Sequence, residues 1–311
     1  MNTKSLIATG LVCATALTIA TLATHAGPLT PPAGPVTSTN KTLAEVEPRI
    51  AINATNTPGD ADSIFRIAAP GSYYLTGNIA GVVGKHGIEI ASSGVTLDLM
   101  GFDLLGVPGS LDGVNVSVAS VSIDIHNGSV RSWGSAGVDA GNTSNSSLRN
   151  LRAEGNVNGG LRLGVGGLVE DCAALSNGLF GIFAGSGSTV SGNTAASNTG
   201  DGIQVPGDCL VLNNNCDSNG FSGGNGAGIL AMSSDNRIDG NNVTDNDRGI
   251  DVTFAGNLII RNSASGNTVN YAIVANNKVG IVVSAPNSPG VFGSTGGAGV
   301  GTTDPWANFS Y

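Results

Sequence analysis

Between Leu179 and Asn219 the chain writes one unit twice. Residues 180–198 read FGIFAGSGSTVSGNTAASN and residues 201–219 read DGIQVPGDCLVLNNNCDSN, and a shift of 21 residues brings their columns into agreement. Ile182 then falls on Ile203, Val190 on Val211, Asn193 on Asn214, Ala195 on Cys216 and Asn198 on Asn219. A fixed period of this kind is the signature of a solenoid, in which each unit buries its apolar face against its neighbours.

The frame extends in both directions. The first apolar position of each unit is Ile88, Val114, Val138, Leu161, Ile182, Ile203, Ile229, Ile250 and Ile273, each except Ile273 preceded by Gly. A second column runs Leu99, Ile125, Leu148, Val169, Val190, Val211, Ile238 and Ile259, and three residues later come Phe102, Gly128, Leu151, Cys172, Asn193, Asn214, Asn241 and Asn262. The last column is Asn156, Asn177, Asn198, Asn219, Asn246 and Asn267. Units this short hold three strands and their turns, not a helix pair. The reading is an all-β chain folded as one parallel β-helix over residues 84–284, with equivalent residues about 4.8 Å apart, so that nine coils give a rod of about 43 Å. An inward Asn must find partners, and the run from Asn193 to Asn262 finds them by stacking at a tight turn.

Residues 1–26 read as a cleaved export signal: Lys4, an apolar run from Ser5 to Ala23, then Thr24-His25-Ala26. No later stretch approaches the roughly 18 apolar residues of a membrane span, so the mature chain is expected outside the cytoplasm, secreted, periplasmic or on the cell surface. Residues 27–83 form a lead-in and cap, with a short helix expected over Thr42 to Ile52 and two strands around Pro70-Gly71. Residues 285–311 form an irregular tail in which Trp306, Phe309 and Tyr311 cover the C-terminal end or pack along the rod. A net charge of −9 with no basic stripe excludes a nucleic-acid footprint. Three cysteines follow the leader; Cys172 and Cys216 read as core residues, and a Cys209–Cys216 bridge is the alternative.

The units resemble the right-handed parallel β-helix repeats of the pectin-lyase-like superfamily. The likeness is carried by the Asn between the second and third strands and by VTLDLMGFDLLG at Val95 to Gly106, where Met100 stands at a position often held by Asn. It covers Gly71 to Val283 and implies a fold more than an activity, because this coil carries many chemistries. It also implies that any site lies on the outer face of the first sheet. That column reads Glu89, Asn115, Asp139, Arg162, Phe183, Gln204, Leu230, Asp251 and Val274.

On that face Glu89, Asp139 and Arg162 are the candidate catalytic residues. Two carboxylates two coils apart, about 9.6 Å, approach the spacing of inverting glycosidases, and Arg162 suits a uronate carboxylate or the base of a lyase. Asn115, Phe183, Gln204, Arg248 and Asp251 are candidate substrate contacts. So is Phe221, in the insertion after Asn219. The bland reading is an exposed ladder of charge pairs, with Asp139 simply facing Arg162. Asp98 and Asp124 are expected to stack as like charges, a candidate Ca²⁺ holder; no other cofactor is evident. His86 and His126 stand isolated, and polygalacturonase and metal motifs are absent. The expected function is binding of a polysaccharide or cell-surface glycan; an enzyme here would be a lyase, hydrolase or epimerase. The alternatives are a non-catalytic adhesion or scaffold rod and, more remotely, an accessory periplasmic β-helix in metalloenzyme maturation.

Overall fold

The computed structural model describes residues 47–220, 226–284 and 303–311. Residues 1–46, which include the expected leader and the start of the expected cap, lie outside it, as do Phe221 and residues 285–302. Every regular element among the described residues is a strand, and none is a helix long and apolar enough to cross a membrane. The strands form a right-handed parallel β-helix of about ten turns.

The first sheet stacks ten strands in chain order, from Ser63–Ile67 to Val269–Ile273. Its inward column is Phe65, Ile88, Val114, Val138, Leu161, Ile182, Ile203, Ile229, Ile250 and Tyr271. From Ile88 to Ile250 these side chains are fully buried. Two expectations are corrected. The column begins one coil earlier, because the two strands around Pro70-Gly71 already belong to a coil: Ser63–Ile67 joins the first sheet and Gly71–Tyr74 the second. In the last coil Tyr271 faces Ile250, and Ile273 faces Val252.

Ser120–Val121 pairs at the side of the first sheet with Val138–Ser144, and the remaining strands form one twenty-stranded sheet, because Ile123–Arg131 and Ser147–Glu154 run unbroken through both the second and third faces. Leu97, not Leu99, stands opposite Ile125. The corner from Asp98 to Phe102 is two residues longer than in later coils, and Leu99 folds inward over Gly128. A Cβ there would lie 2.4 Å from the Leu99 Cβ, so only glycine fits.

Asparagines stack at all three corners. In the middle ladder Asn214 Oδ1 accepts from both the backbone N and the Nδ2 of Asn193, at 3.0 Å each, while Asn214 Nδ2 donates to Val190 O and to Asn241 Oδ1 at 2.9 Å. The ladder Asn156 to Asn267 repeats this, and a third runs Asn236, Asn257, Asn277. The residue before most rungs is left-handed, as at Ser197 (φ 55°), Asn213 (φ 52°) and Ser218 (φ 55°). The Gly column ahead of the first strand belongs to the same device: a Cβ at Gly181 would lie 2.7 Å from Asn198 Nδ2, and one at Gly202 2.8 Å from Asn219 Nδ2. Where Asn270 replaces that Gly, its Oδ1 takes the last amide, from Asn267 at 2.9 Å.

At the N-terminal end Ile50–Ala51 is a strand paired with Tyr73–Tyr74, so the expected helix does not reach Ile52. At the other end Asn308–Ser310 returns as a parallel strand between Ser263–Ser265 and Val282–Ser284. Its Asn308 is the final rung of the middle ladder, accepting from Asn262 N at 2.9 Å and Nδ2 at 3.1 Å. The three thiols are free and buried, and no Cys209–Cys216 bridge forms.

Candidate functional site

The outer column of the first sheet runs Arg66, Glu89, Asn115, Asp139, Arg162, Phe183, Gln204, Leu230, Asp251 and Ala272. It keeps the expected order, gains Arg66 at the start and ends on Ala272 instead of Val274. Alternation places these side chains outward because their neighbours on either side face the core.

Glu89 is nearly buried, held by Arg66 Nε at 3.0 Å and by the Ser117 hydroxyl at 2.5 Å. Asn115 donates to Asp112 at 3.1 Å, and Asp112 in turn accepts Ala136 N from the next coil at 2.8 Å. Gln204 donates to Asp201 at 2.6 Å, and Asp201 accepts Ala227 N at 2.6 Å. Arg248 pairs with Asp251 at 2.5 Å. One i,i+3 bracket therefore recurs at Asp112/Asn115, Asp201/Gln204 and Arg248/Asp251. Burial raises the Asp201 carboxyl above the usual carboxylate range despite its two donors. Asp201 is the residue at this end that the sequence reading left out of its substrate contacts; its place two residues before the inward Ile203, matching Asp112 before Val114, was the available signal.

The centre of the face is different. Asp139 accepts from Gly141 N at 2.9 Å and from Arg162 Nη1 at 3.4 Å, and the Arg162 side chain remains 48% exposed. The guanidinium lies 5.6 Å from the Phe183 ring centroid, and Phe180 stands 6.0 Å from Phe183 at a 53° tilt. Two rings, one half-exposed cation and one carboxylate thus sit within three successive coils. Glu89 and Asp139, by contrast, are each drawn to partners of their own rather than to each other.

On the second face the expected Asp98/Asp124 stack is corrected. Asp98 is in register with His126, and Asp124 with Thr96. The His126 ring lies between the carboxylates, Nδ1 3.1 Å from Asp124 and Nε2 3.8 Å from Asp98, while Arg149 binds Asp124 at 2.8 Å and Arg49 binds Asp98 at 3.2 Å. Each of the two carboxylates is thus held by an arginine of its own. His86 is likewise not isolated, lying 3.2 Å from Asp112. Arg149 is in register with Glu170 and Arg131 with Glu154, but the arginines bond Asp124 and Asp103.

A rod of stacked parallel coils with a polar and aromatic outer face on its first sheet defines a right-handed parallel β-helix protein. Within that class, the family described as periplasmic copper-binding protein (NosD) matches residues 106–288, more than half of the chain, and the chain belongs to that family. No curated protein sequence matches it. Among solved structures the chain is similar to two mannuronan C-5 epimerase A-modules of Azotobacter vinelandii. The AlgE6 module is 19% identical over 71% of this chain and 69% of its own, with a TM-score of 0.54. The AlgE4 module is 17% identical over 69% and 66%, with a TM-score of 0.52. At such identity the likeness is one of fold.

The family description brings copper to the question, and the donors here do not fit it. After residue 26 the only soft or imidazole donors are His86, Met100, His126, Cys172, Cys209, Cys216 and Met232. The thiols are buried in the rod; burial pushes Cys172 up to about 12 and raises Cys209 and Cys216 as well, whereas a metal ligand must be a thiolate. Both histidines face carboxylates. Among the described residues only Asp60, Asp62 and Glu89 gather three ligand atoms within 4.8 Å of one another, and these are hard oxygen donors with Arg66 between Asp60 and Glu89.

Proposed function

We propose that this protein is an exported β-helix that binds an acidic polysaccharide along the outer face of its first sheet. The observation that carries the reading is the half-exposed Arg162 over Phe183, with Phe180 beside it. A guanidinium offers two parallel N–H groups to a uronate carboxylate, and an adjacent ring offers an apolar face to the sugar. Asn115, Gln204, Arg248 and Asp251 extend the strip on either side. The reading is for binding rather than cleavage, because Glu89, Asp139 and Asp251 are each already held as acceptors by a neighbour. Any lyase, hydrolase or epimerase step would start from Arg162 and Asp139.

The test is a panel of uronic-acid and neutral polysaccharides, scored for binding and for new reducing ends or an unsaturated product in the ultraviolet. Retention of a uronic-acid polymer that is lost in Arg162→Ala supports the reading. No retention of any polymer sinks it and leaves a scaffold rod. A second reading, in which the chain holds copper itself, is favoured by the family description alone; the donor set speaks against it.

A further inference from the structure

The second face carries a charge arrangement unlike any other on the described rod. Most buried or half-buried carboxylates there have one arginine each, but Asp239, 1% exposed, has two. Arg261 grips both oxygens, Nε to Oδ1 at 2.6 Å and Nη2 to Oδ2 at 2.5 Å, and Arg237 Nη2 reaches the same Oδ2 at 2.7 Å. The two arginine side chains stay 44% and 48% exposed, and Nη1 of each has no hydrogen-bond partner among the described residues. Two cations on one carboxylate leave a positive charge. Lys278, two coils along the column of Arg237 through Leu258, adds another; Asp304 offsets one and is turned to the Trp306 backbone N at 2.8 Å.

Two further features mark the spot. Arg261 adopts a left-handed backbone (φ 59°) at a corner where the preceding coils place Asp171, Gly192, Asn213 and Gly240. The ladder imposes that left-handed corner in each of these coils, and what sets this one apart is a long cationic side chain where the earlier coils have short residues. The Arg261 guanidinium also lies 5.4 Å from the ring centroid of Trp306, which is 50% exposed. The outward donors of two guanidinium groups beside an open indole are what a carboxylate on a sugar ring requires: charge-assisted hydrogen bonds for the acid and a flat apolar surface for the ring.

We infer that Arg237, Arg261 and Trp306 form a uronate-binding subsite on the second face, separate from the Arg162–Phe183 strip on the first sheet. Asp239 positions the two guanidinium groups, so the ligand meets donors whose rotamers are already fixed.

Trp306 reports on this subsite directly, because the only other tryptophan, Trp133, is fully buried. The full chain is titrated with a mannuronan oligomer and with a neutral glucan oligomer of equal length, following tryptophan emission. The acidic oligomer is expected to change the emission saturably and the neutral one to leave it unchanged. Arg237→Ala is expected to weaken the response about tenfold, with Arg237→Lys recovering part of it. The Arg162→Ala/Phe183→Ala double variant is expected to keep the emission change even where it loses binding heat, which separates this subsite from the first-sheet reading. The inference is overturned if the parent shows no emission change, if the neutral oligomer gives the same change, or if Arg237→Ala, with its melting temperature intact, responds as the parent does.

Discussion

The guanidinium of Arg162 lies over the ring of Phe183, one coil further along the first sheet, while its Nη1 reaches back to Asp139. The pair presents charge and ring together, and truncating either removes one half of the recognition. Phe183→Ala is expected to weaken retention of a uronic-acid polymer about tenfold, as loss of one stacking contact does, and Arg162→Ala by at least as much. Affinity electrophoresis in polymer-containing gels measures this, and unchanged mobility shifts in both variants would move the site off this face.

The Asn ladder makes a sharper demand on stability. Asn214→Ala leaves the backbone N–H of Asn193 without its acceptor and breaks the rung to Asn241. Each buried group left unpaired costs about 1–3 kcal/mol, so the loss is expected near 3 kcal/mol in urea unfolding, and greater than for an Ala replacement of the exposed Asn215. Equal effects would mean that the ladder contributes no more than surface asparagines do.

Acid should loosen the rod. Burial raises Asp112 and Asp124, but hydrogen bonds outweigh it, from His86, Ser135 and Ala136 at Asp112 and from Arg149 and Ser147 at Asp124, and both carboxyls end below the usual range. A folded-state value below the unfolded one, about 3.9, gives stability that is present above that pH and lost as pH falls through the folded value. Melting temperature is therefore expected to hold from pH 7 to about 4 and to fall below it. Asp112→Asn is expected to flatten that fall, while Asp201, shifted upward by burial, works in the opposite sense and softens it. A profile unchanged to pH 3 would contradict the assignment.

The thiols should be silent. With Cys172 pushed up to about 12 and all three described thiols buried, protein produced from Gly27 onward is expected to release no chromophore from an aromatic disulfide reagent at pH 8, and three equivalents once unfolded. Copper(I) competition against a chromophoric chelator is expected to show no transfer to native protein for the same reason. A stoichiometric transfer would reveal a donor set that the rod does not display.

Much of this was legible in the sequence because a solenoid repeats its physics. The inward Ile, Val and Leu columns and two of the three Asn ladders recur often enough to be aligned by eye. The third ladder was not legible: its line of succession passes through Ser188 and Cys209 before Asn236, so no single residue type marks it. Register failed where corners change length. The two additional residues after Asp98 shifted Leu99 out of its supposed column and turned a supposed carboxylate stack into Asp98–His126–Asp124. At the candidate site the order of residues was legible from alternation alone. Their partners were not, because Arg66, Asp201 and Ser117 reach the column from other coils or corners, and nothing in the local pattern announces which side chain bends back.

The returning strand at Asn308 sets an order on assembly. Every other rung of the middle ladder is supplied 21 or 27 residues after the one it supports, but Asn262 waits for a residue 46 positions later. A chain emerging from its N-terminus can close coil upon coil as each is delivered, yet its last coil stays open until Asn308 arrives. The rod is therefore finished by a latch, and the coils beside Asn262 are the last to become resistant to a protease and the first to yield to one.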